Sequence, residues 1–260
     1  MSTTESFANQ LLQAEKDRVG TVALTDQDTS FTVQDAYAVQ LEIIKQKLEQ
    51  GQTIVGKKIG LTSVAMQKLL GVDEPDYGHL LDGMVVENGT ELAFDRVMQP
   101  KVEGEVAFVL KKDLKGPNVT AQDVMQATDY LLPSLEIVDS RVKDWKIKLP
   151  DTIADNASSS HYVLGGKPVS VDKVDLAQMG MVLLKNGEVV NTGVGAAVMG
   201  HPANCVAWLA NKLSEFDITL KAGEVILSGA LSAAVDAQPG DLFTAKIAHL
   251  GEVSVRFSSK

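Results

Sequence analysis

Three glutamates in two strongly apolar segments are the residues of this sequence best suited to chemistry. Glu103 and Glu105 lie two positions apart in KVEGEVAFVL, and Glu136 lies in LLPSLEIVDS. On a β-strand, side chains two residues apart point to the same side, so Glu103 and Glu105 would form one acidic pair. Water would solvate such a pair on an exposed strand face, whereas a buried face would require a counter-cation.

The same three residues suit a hard divalent cation better than zinc. Carboxylate oxygens are ligands for Mg²⁺ and Mn²⁺, while zinc prefers histidine and cysteine, and neither lies near the glutamates in the sequence. Gly104, between the first two, leaves room for close approach. A paired structural carboxylate explains Glu136 equally simply, because an unpaired charge in an apolar strand would be costly. The residues alone therefore leave a metal site and ordinary structural charges both open.

The bulk composition excludes several classes of partner. A net charge of −10 argues against nucleic acid, which needs a basic face, and an aromatic content of 5% argues against recognition by stacking. The single Cys205 excludes an intramolecular disulfide and fits a reducing compartment. The first twenty residues lack a continuous apolar run, and no stretch reaches the roughly 18 apolar residues of a membrane helix. We expect a cytoplasmic protein that acts on a small molecule.

Apolar residues at helical spacing predict helices mainly in the first part of the chain. The strongest begins after Thr32, a good N-cap residue with Asp35 in the following turn, and Gly51 is its C-cap candidate. The predicted helices span residues 6–17, 33–50, 64–70, 121–127 and 202–216.

Short β-branched runs separated by Gly, Pro and Asn predict strands in TIVGKKIGLTS and throughout the chain after residue 84. VDEPDYGHLLDG is predicted as turns, and Asn186-Gly187 as a type I′ hairpin turn. This order predicts an α+β protein with a mixed, curled sheet, a β-roll or barrel, in which residues 1–80 form a small lobe and 81–260 the main domain. The later predicted strands span 84–86, 102–110, 132–138, 161–164, 180–185, 189–194, 224–227, 242–247 and 251–257.

Seven segments in one order resemble a known enzyme family. They are GKKIGLTS, LGVDEPDYGHL, QPKVEGEVAFVL, LPSLEIVDSR, DTIADNASS, GHPANCVAWLA and ILSGAL. Together they are similar to the 2-keto-4-pentenoate hydratase and 4-oxalocrotonate decarboxylase family of the fumarylacetoacetate hydrolase superfamily. The similarity extends from about residue 30 to the C-terminus.

The resemblance implies a β-roll like the fumarylacetoacetase C-terminal domain, with Mg²⁺ or Mn²⁺ held by Glu103, Glu105 and Glu136. It implies a hydratase, a carbon–oxygen lyase that converts 2-hydroxypenta-2,4-dienoate into 4-hydroxy-2-oxopentanoate during meta-cleavage breakdown of aromatic compounds. The alternative is 4-oxalocrotonate decarboxylase. The adjacent carboxylate and 2-oxo group of such substrates would chelate a hard cation. A homo-oligomer is expected, and association with a partner enzyme of the pathway is a further expectation.

The resemblance also assigns the proton chemistry. Lys58 matches the lysine of the K-I-G-L-T-S motif, and beside a metal its pKa would be lowered to suit a proton shuttle. On the residues alone, Lys58 could equally be a surface lysine. Lys57 is expected to stay solvated. Asp76 in PDYG either caps a turn or, as the resemblance implies, orients a water molecule or Lys58.

Two glycine-rich or small-residue segments are expected to bind the substrate. The backbone N–H groups of Gly60 and Leu61 would contact a substrate oxygen. In ADNASSS, Ser158 would donate a hydrogen bond to the substrate carboxylate, while Asp155 and Asn156 would hold the loop. Loops of this composition are also often simple turns.

Overall fold

The computed structural model describes residues 2–63, 67–68 and 71–259, and the predicted helix over 64–70 falls largely outside them. The helices are α1 (Thr3–Asp17), α2 (Leu24–Gln27), α3 (Val33–Glu49), α4 (Ala121–Ala127), α5 (Leu149–Ala154) and α6 (Pro202–Ser214). The strands are β1 (Ile54–Gly60), β2 (Asp76–Leu81), β3 (Val85–Val86), β4 (Glu91–Leu92), β5 (Lys101–Leu110), β6 (Thr128–Val138), β7 (Ser159–Leu164), β8 (Gly180–Lys185), β9 (Glu188–Val194), β10 (Val225–Leu227), β11 (Val235–Asp236), β12 (Leu242–Ile247) and β13 (Gly251–Phe257).

Two mixed sheets form the body of the protein. The larger has the order β2-β1-β10-β5-β6-β7-β3, with β11 beside β5, and the smaller has the order β4-β13-β12-β8-β9. Parallel pairs such as β1 with β10 occur beside antiparallel pairs such as β5 with β6. The prediction of an α+β fold with a mixed, curled sheet is therefore confirmed. Since β1 and β2 belong to the larger sheet, the predicted lobe 1–80 shares that sheet, and the division near residue 80 stays a prediction.

The main core lies where the two sheets pack against each other. Val102, Val106 and Phe108 of β5 are fully buried in it, together with residues of β8, β12 and β13. Gly104 faces the same way, and a Cβ at this position would lie 2.3 Å from Met181 Sδ. Gly104 therefore makes room for Met181 rather than for a ligand, and the alternating side chains Glu103 and Glu105 point to the other side of the sheet.

Local signals predicted several element boundaries well. Thr32 and Asp35 form a capping box at the start of α3, and Asn186 and Gly187 have the positive φ values, 54° and 87°, of the predicted hairpin turn. The prediction of turns across residues 76–81 is wrong, because these residues form the fully buried strand β2. Its pairing with β1 outweighs the weak strand propensity of its Asp and Gly.

No helix in the described parts of the chain combines the length and apolar character needed to cross a membrane.

Candidate metal centre and catalytic residues

The pairing of β5 with β6 brings the three glutamates together. Glu103 lies directly opposite Glu136 in the register, and Glu105 is two residues further along the same face. One carboxylate oxygen from each of the three lies within 4.8 Å of the other two. Glu105 and Glu136 are fully buried and Glu103 is partly buried, so the interpretation as a solvated strand face is wrong.

The hydrogen bonds of these carboxylates are incomplete. Glu105 Oε2 accepts a bond from the Gly229 backbone at 2.8 Å, and Glu136 Oε1 accepts one from Ser159 Oγ at 2.9 Å. Glu105 Oε1 has no hydrogen-bond partner in the described chain, and Glu136 Oε2 has only an ion pair with Lys58 Nζ at 3.3 Å, without hydrogen-bond geometry. Buried polar atoms are rarely left so, and convergent carboxylate oxygens are the ligands of a hard cation. The cluster therefore fits a divalent metal.

The electrostatics of the cluster point the same way. Burial, and next the neighbouring Glu136, raise the pKa of Glu103 to about 7. Burial and the same neighbour raise the pKa of Glu105 well above its ordinary value, although Lys58 opposes the shift. Burial and the mutual repulsion of the glutamates thus disfavour three ionised carboxylates at this place, and a divalent cation would supply the missing positive charge.

Lys58 is buried in β1 beside the cluster. Its Nζ donates a hydrogen bond to the Ala157 carbonyl at 3.1 Å as well as pairing with Glu136. Burial alone would lower the pKa of the ammonium, but Glu136 and then Asp76 outweigh this effect and raise the pKa of Lys58. The raised pKa belongs to the carboxylates without a metal, so the lowering expected beside a bound metal stays a prediction, and the sequence did not show how many carboxylates would surround this lysine.

Asp76 and Lys58 meet over Gly60. Asp76 begins β2 directly opposite Gly60, and a Cβ on this glycine would lie 2.2 Å from Asp76 Oδ1 and 3.3 Å from Lys58 Nζ. Asp76 is buried, its Oδ1 has no hydrogen-bond partner among the described residues, and burial raises its pKa against the opposing effect of Lys58. The capped-turn interpretation of Asp76 is wrong, because Asp76 lies in strand β2. Its partner in the register, Gly60, has no side chain and leaves room for the carboxylate.

The loop that follows α5 carries the Ala157 carbonyl to Lys58. Asn156, Ala157 and Ser158 all have positive φ values, 56°, 51° and 49°. Asn156 holds one end, because its side chain accepts from the His79 backbone N–H at 2.7 Å and donates to the His79 carbonyl at 2.9 Å.

Asp155, the first residue of this loop, is joined to its last residue, Ser158. The Asp155 carboxylate forms a buried ion pair with Arg141, and it also accepts a hydrogen bond from Ser158 Oγ at 3.1 Å. The predicted contacts of Ser158, Gly60 and Leu61 with a substrate stay predictions; Leu61 has a φ of 55°, and its carbonyl accepts from the Gln67 side chain.

The comparison with known proteins agrees with this arrangement. The sequence profile described as fumarylacetoacetate (FAA) hydrolase C-terminal matches residues 74–258. The chain belongs to this family. The matched range includes Asp76, the three glutamates and the 155–158 loop, while Lys58 precedes it.

Individual members of the FAA hydrolase family are similar over nearly the whole chain. A 2-keto-4-pentenoate hydratase of Paraburkholderia xenovorans is 47% identical, covering 98% of this chain and 95% of its own. A 4-oxalocrotonate decarboxylase of Pseudomonas putida is 44% identical over 90% of this chain and 89% of its own. The solved structure of 4-oxalocrotonate decarboxylase from Pseudomonas putida G7, complexed with magnesium and adipate, has a TM-score of 0.95, 41% identity and coverage of 98% and 97%.

Sequence reasoning missed several contacts in this family member. Ser159 and Gly229 orient two of the glutamates, as described above, and nothing in the sequence indicated which glutamate they would reach. Ser134 lies opposite Glu105 in the register, and its hydroxyl and that of Ser228 are buried without a hydrogen-bond partner in the described chain. Ser159 lies in the segment DTIADNASS and Ser228 in the segment ILSGAL. The family resemblance of these segments is the one signal that could have singled them out.

The expectation that Lys57 is solvated is wrong. Lys57 is 2% exposed, and its Nζ lies 2.9 Å from Glu224 Oε1. Its partner is distant in the sequence, so the pattern around Lys57 carried no sign of the pairing.

Proposed function

We propose that this protein is a divalent-metal-dependent hydratase that adds water to 2-hydroxypenta-2,4-dienoate and gives 4-hydroxy-2-oxopentanoate. The observation that carries the proposal is the convergence of Glu103, Glu105 and Glu136, with unsatisfied oxygens, beside the buried Lys58. The similar 2-keto-4-pentenoate hydratase supports the reaction, and a place in meta-cleavage catabolism is part of the proposal.

Glu103, Glu105 and Glu136 would hold the metal, with Mg²⁺ favoured by the magnesium in the solved decarboxylase and Mn²⁺ as the alternative. When bound, the cation would act as a Lewis acid toward the carboxylate and 2-oxygen of the substrate. Its charge would also favour an anionic substrate on a protein whose net charge is −10.

Lys58 is proposed to move the proton. The Ala157 carbonyl and Glu136 fix its Nζ from two sides, which gives the ammonium one position next to the cluster. A proton donor held in this way suits proton transfer to the carbon chain of a dienol. Asp76 lies next to Lys58 because Gly60 has no side chain between them. Asp76 would orient Lys58 or the water molecule that adds to the substrate.

The remaining site residues are proposed to bind the substrate. The backbone N–H groups of Gly60 and Leu61, and the hydroxyl of Ser158, would donate to substrate oxygens. Asp155 and Asn156 support this role indirectly, because their bonds to Arg141 and to the His79 backbone hold the loop in its unusual conformation.

Decarboxylation of 4-oxalocrotonate is the second candidate. It is favoured by the TM-score of 0.95 to the solved decarboxylase. Both reactions use the 2-oxo group as an electron sink and so need the same metal, but hydration also needs a positioned water molecule. The buried Asp76 carboxylate, with one unsatisfied oxygen, suits that task and favours the hydratase.

The two candidates are separated by supplying each substrate to the purified protein with Mg²⁺ or Mn²⁺. We expect the dienol absorbance of 2-hydroxypenta-2,4-dienoate to disappear as 4-hydroxy-2-oxopentanoate forms, with no CO₂ released from 4-oxalocrotonate. Removing the metal with a chelator should stop the reaction, and adding Mg²⁺ should restore it. CO₂ release without hydration of the dienol would make the decarboxylase the better assignment.

The assembly and its location belong to the same proposal. The protein would work in the cytoplasm as a homo-oligomer, and it would be able to associate with another enzyme of the pathway. The free, buried Cys205 is compatible with a reducing compartment. Size-exclusion chromatography with light scattering would give the mass of the assembly, and a monomer would contradict this part.

A further inference from the structure

A cavity of about 160 Å³ lies between α1, the end of α3 and β7, and it is lined by more cations than anions. Four cationic side chains line it: Arg18, Lys47, Arg96 and Arg141. Two carboxylates, Glu15 and Asp139, also line it. None of the three clustered glutamates, Lys58 or Asp76 is among its described lining residues. In a chain with a net charge of −10, a local excess of positive charge is unusual.

The two carboxylates are already engaged by other groups. Glu15 pairs with Lys47 at 2.8 Å, which neutralises that lysine. Asp139 accepts hydrogen bonds from the backbone N–H groups of Met98 at 2.9 Å and Gln99 at 2.7 Å. Neither carboxylate forms an ion pair with an arginine of the cavity in the described chain, but Asp139 keeps its negative charge and offsets part of the positive charge there.

Arg141 is neutralised by its buried ion pair with Asp155, whereas Arg18 and Arg96 keep their charge at the cavity. Arg96 is exposed and forms neither an ion pair nor a side-chain hydrogen bond with any described residue. Arg18 donates to the backbone carbonyls of Asp95 and Glu15, which carry no formal charge. Two guanidinium groups are thus without a carboxylate partner in the described chain, and guanidinium groups bind carboxylate and phosphate oxygens through paired hydrogen bonds.

His161 adds a neutral donor to the same wall. It is 6% exposed, its Nδ1 lies 2.8 Å from Ser160 Oγ, and its Nε2 forms no hydrogen bond with a described residue. Burial, and next the charge of Arg96, lower the pKa of His161 to about 4, so the ring is neutral near pH 7. In the tautomer in which Nδ1 accepts from Ser160 Oγ, the ring proton is on Nε2 and can be donated to an anion.

We infer that this cavity is a binding site for a small dianion, separate from the metal centre. Its volume equals that of about five water molecules in the liquid, which suits an ion the size of inorganic phosphate or a short dicarboxylate. Arg141 connects the site to the rest of the protein, because it lines the cavity and also bonds Asp155 and the Ser159 carbonyl. A bound dianion would therefore contact the residue that anchors the loop beside Lys58.

The test is calorimetric titration of the metal-free protein with inorganic phosphate and, separately, with succinate. We expect one site. The anion that binds more tightly shows whether the site prefers a phosphate or a dicarboxylate. Arg96→Gln should weaken binding by about ten-fold or more, since it removes charge-assisted hydrogen bonds. Arg256→Gln is the matched control, because Arg256 is also exposed and unpaired with any described carboxylate but lies in β13, and it should bind as the wild type does.

Three results would overturn the inference: no binding of either anion at millimolar concentration, equal binding by wild type and Arg96→Gln, or equal weakening by both arginine variants. Light scattering on the same samples tests one other use of the cavity. If Arg96→Gln changes the mass of the assembly and leaves anion binding unchanged, a second copy of the chain occupies the cavity and the inference is wrong. Hydratase activity should be the same in wild type and Arg96→Gln.

Discussion

Lys57 and Lys58 are adjacent in β1, and both form buried ion pairs, yet they belong to very different regions. Lys57 pairs with Glu224 at 2.9 Å, and Lys58 pairs with Glu136 at 3.3 Å. Because neighbouring side chains of a strand point to opposite faces, the two pairs lie on the two sides of the larger sheet. The comparison separates a buried charge that supports the fold from one that is available for chemistry.

The pair of Lys57 is closed. Glu224 Oε1 binds Lys57, and Glu224 Oε2 accepts a hydrogen bond from the Lys221 backbone at 2.9 Å. The pair of Lys58 is open, because Glu136 belongs to a cluster of three carboxylates in which Oε atoms of Glu105 and Glu136 lack hydrogen bonds within the described chain. A buried ion pair is thus weak evidence of function, whereas an incomplete one indicates a missing ligand.

The largest effect is expected when the cluster that contains the open pair of Lys58 loses a carboxylate. Glu105→Gln should lower Mg²⁺ affinity by more than about 100-fold, because even residues behind the metal ligands contribute 10–100-fold, and turnover should be lost. The metal-free variant should be at least as stable as wild type, since burial already disfavours the ionised form of Glu105. Calorimetric Mg²⁺ titration and thermal unfolding measure both effects.

Glu188→Gln is the control for this change, because Glu188 is exposed in β9 and forms no ion pair within the described chain. It should leave affinity and turnover unchanged. Normal Mg²⁺ affinity in Glu105→Gln would contradict the three-glutamate site.

Removing Lys58 from the open pair is expected to have the next largest effect. Lys58→Met should slow turnover by about 10²–10⁴-fold, the usual contribution of a general acid or base, while Mg²⁺ still binds. It should also make stability depend on metal, because Glu136 loses the one cation with which it forms an ion pair among the described residues. Mg²⁺ should then raise the melting temperature more in the variant than in wild type. Wild-type turnover would place the proton donor elsewhere.

Removing Lys57 from the closed pair should affect stability and not turnover. Lys57→Met leaves Glu224 buried without its cation, which should destabilise the fold by about 3–5 kcal/mol in denaturant unfolding. The kcat of the folded protein should not change. Adding Glu224→Gln to this variant should restore part of the stability, because no unpaired charge then remains. A large loss of kcat in Lys57→Met would remove the distinction between the two sides.

The smallest effect concerns pH. His79 lies opposite Lys57 in the register, and burial, with a further contribution from Lys57, lowers its pKa from 6.5 to about 3. As pH falls below 6.5, the unfolded chain binds a proton at His79 that the folded protein does not, so stability is lost by up to about 1.4 kcal/mol per pH unit. Unfolding measured between neutral and acidic pH should show a shallower slope in His79→Gln, and an unchanged slope would contradict this account.

The order and type of most elements followed from the sequence, because they depend on local periodicity and turn chemistry. The helix over 121–127 and the strands over 180–185 and 242–247 have the bounds that were predicted. The placement of Glu103 and Glu105 on one side of β5 was also available from the two-residue period of a strand. Resemblance to known segments then singled out Lys58 and Asp76.

Only the tertiary structure decided which of these residues meet. Glu136 reaches Glu103 through the register of β5 and β6, and Asp76 reaches Lys58 through a strand that the sequence predicted as turns. The burial of Lys57 depends on Glu224, far along the chain, and the pKa of Lys58 depends on how many carboxylates surround it. Local patterns report which face a side chain occupies, but burial and charge balance depend on partners that are distant in sequence, and these set the chemistry of the site.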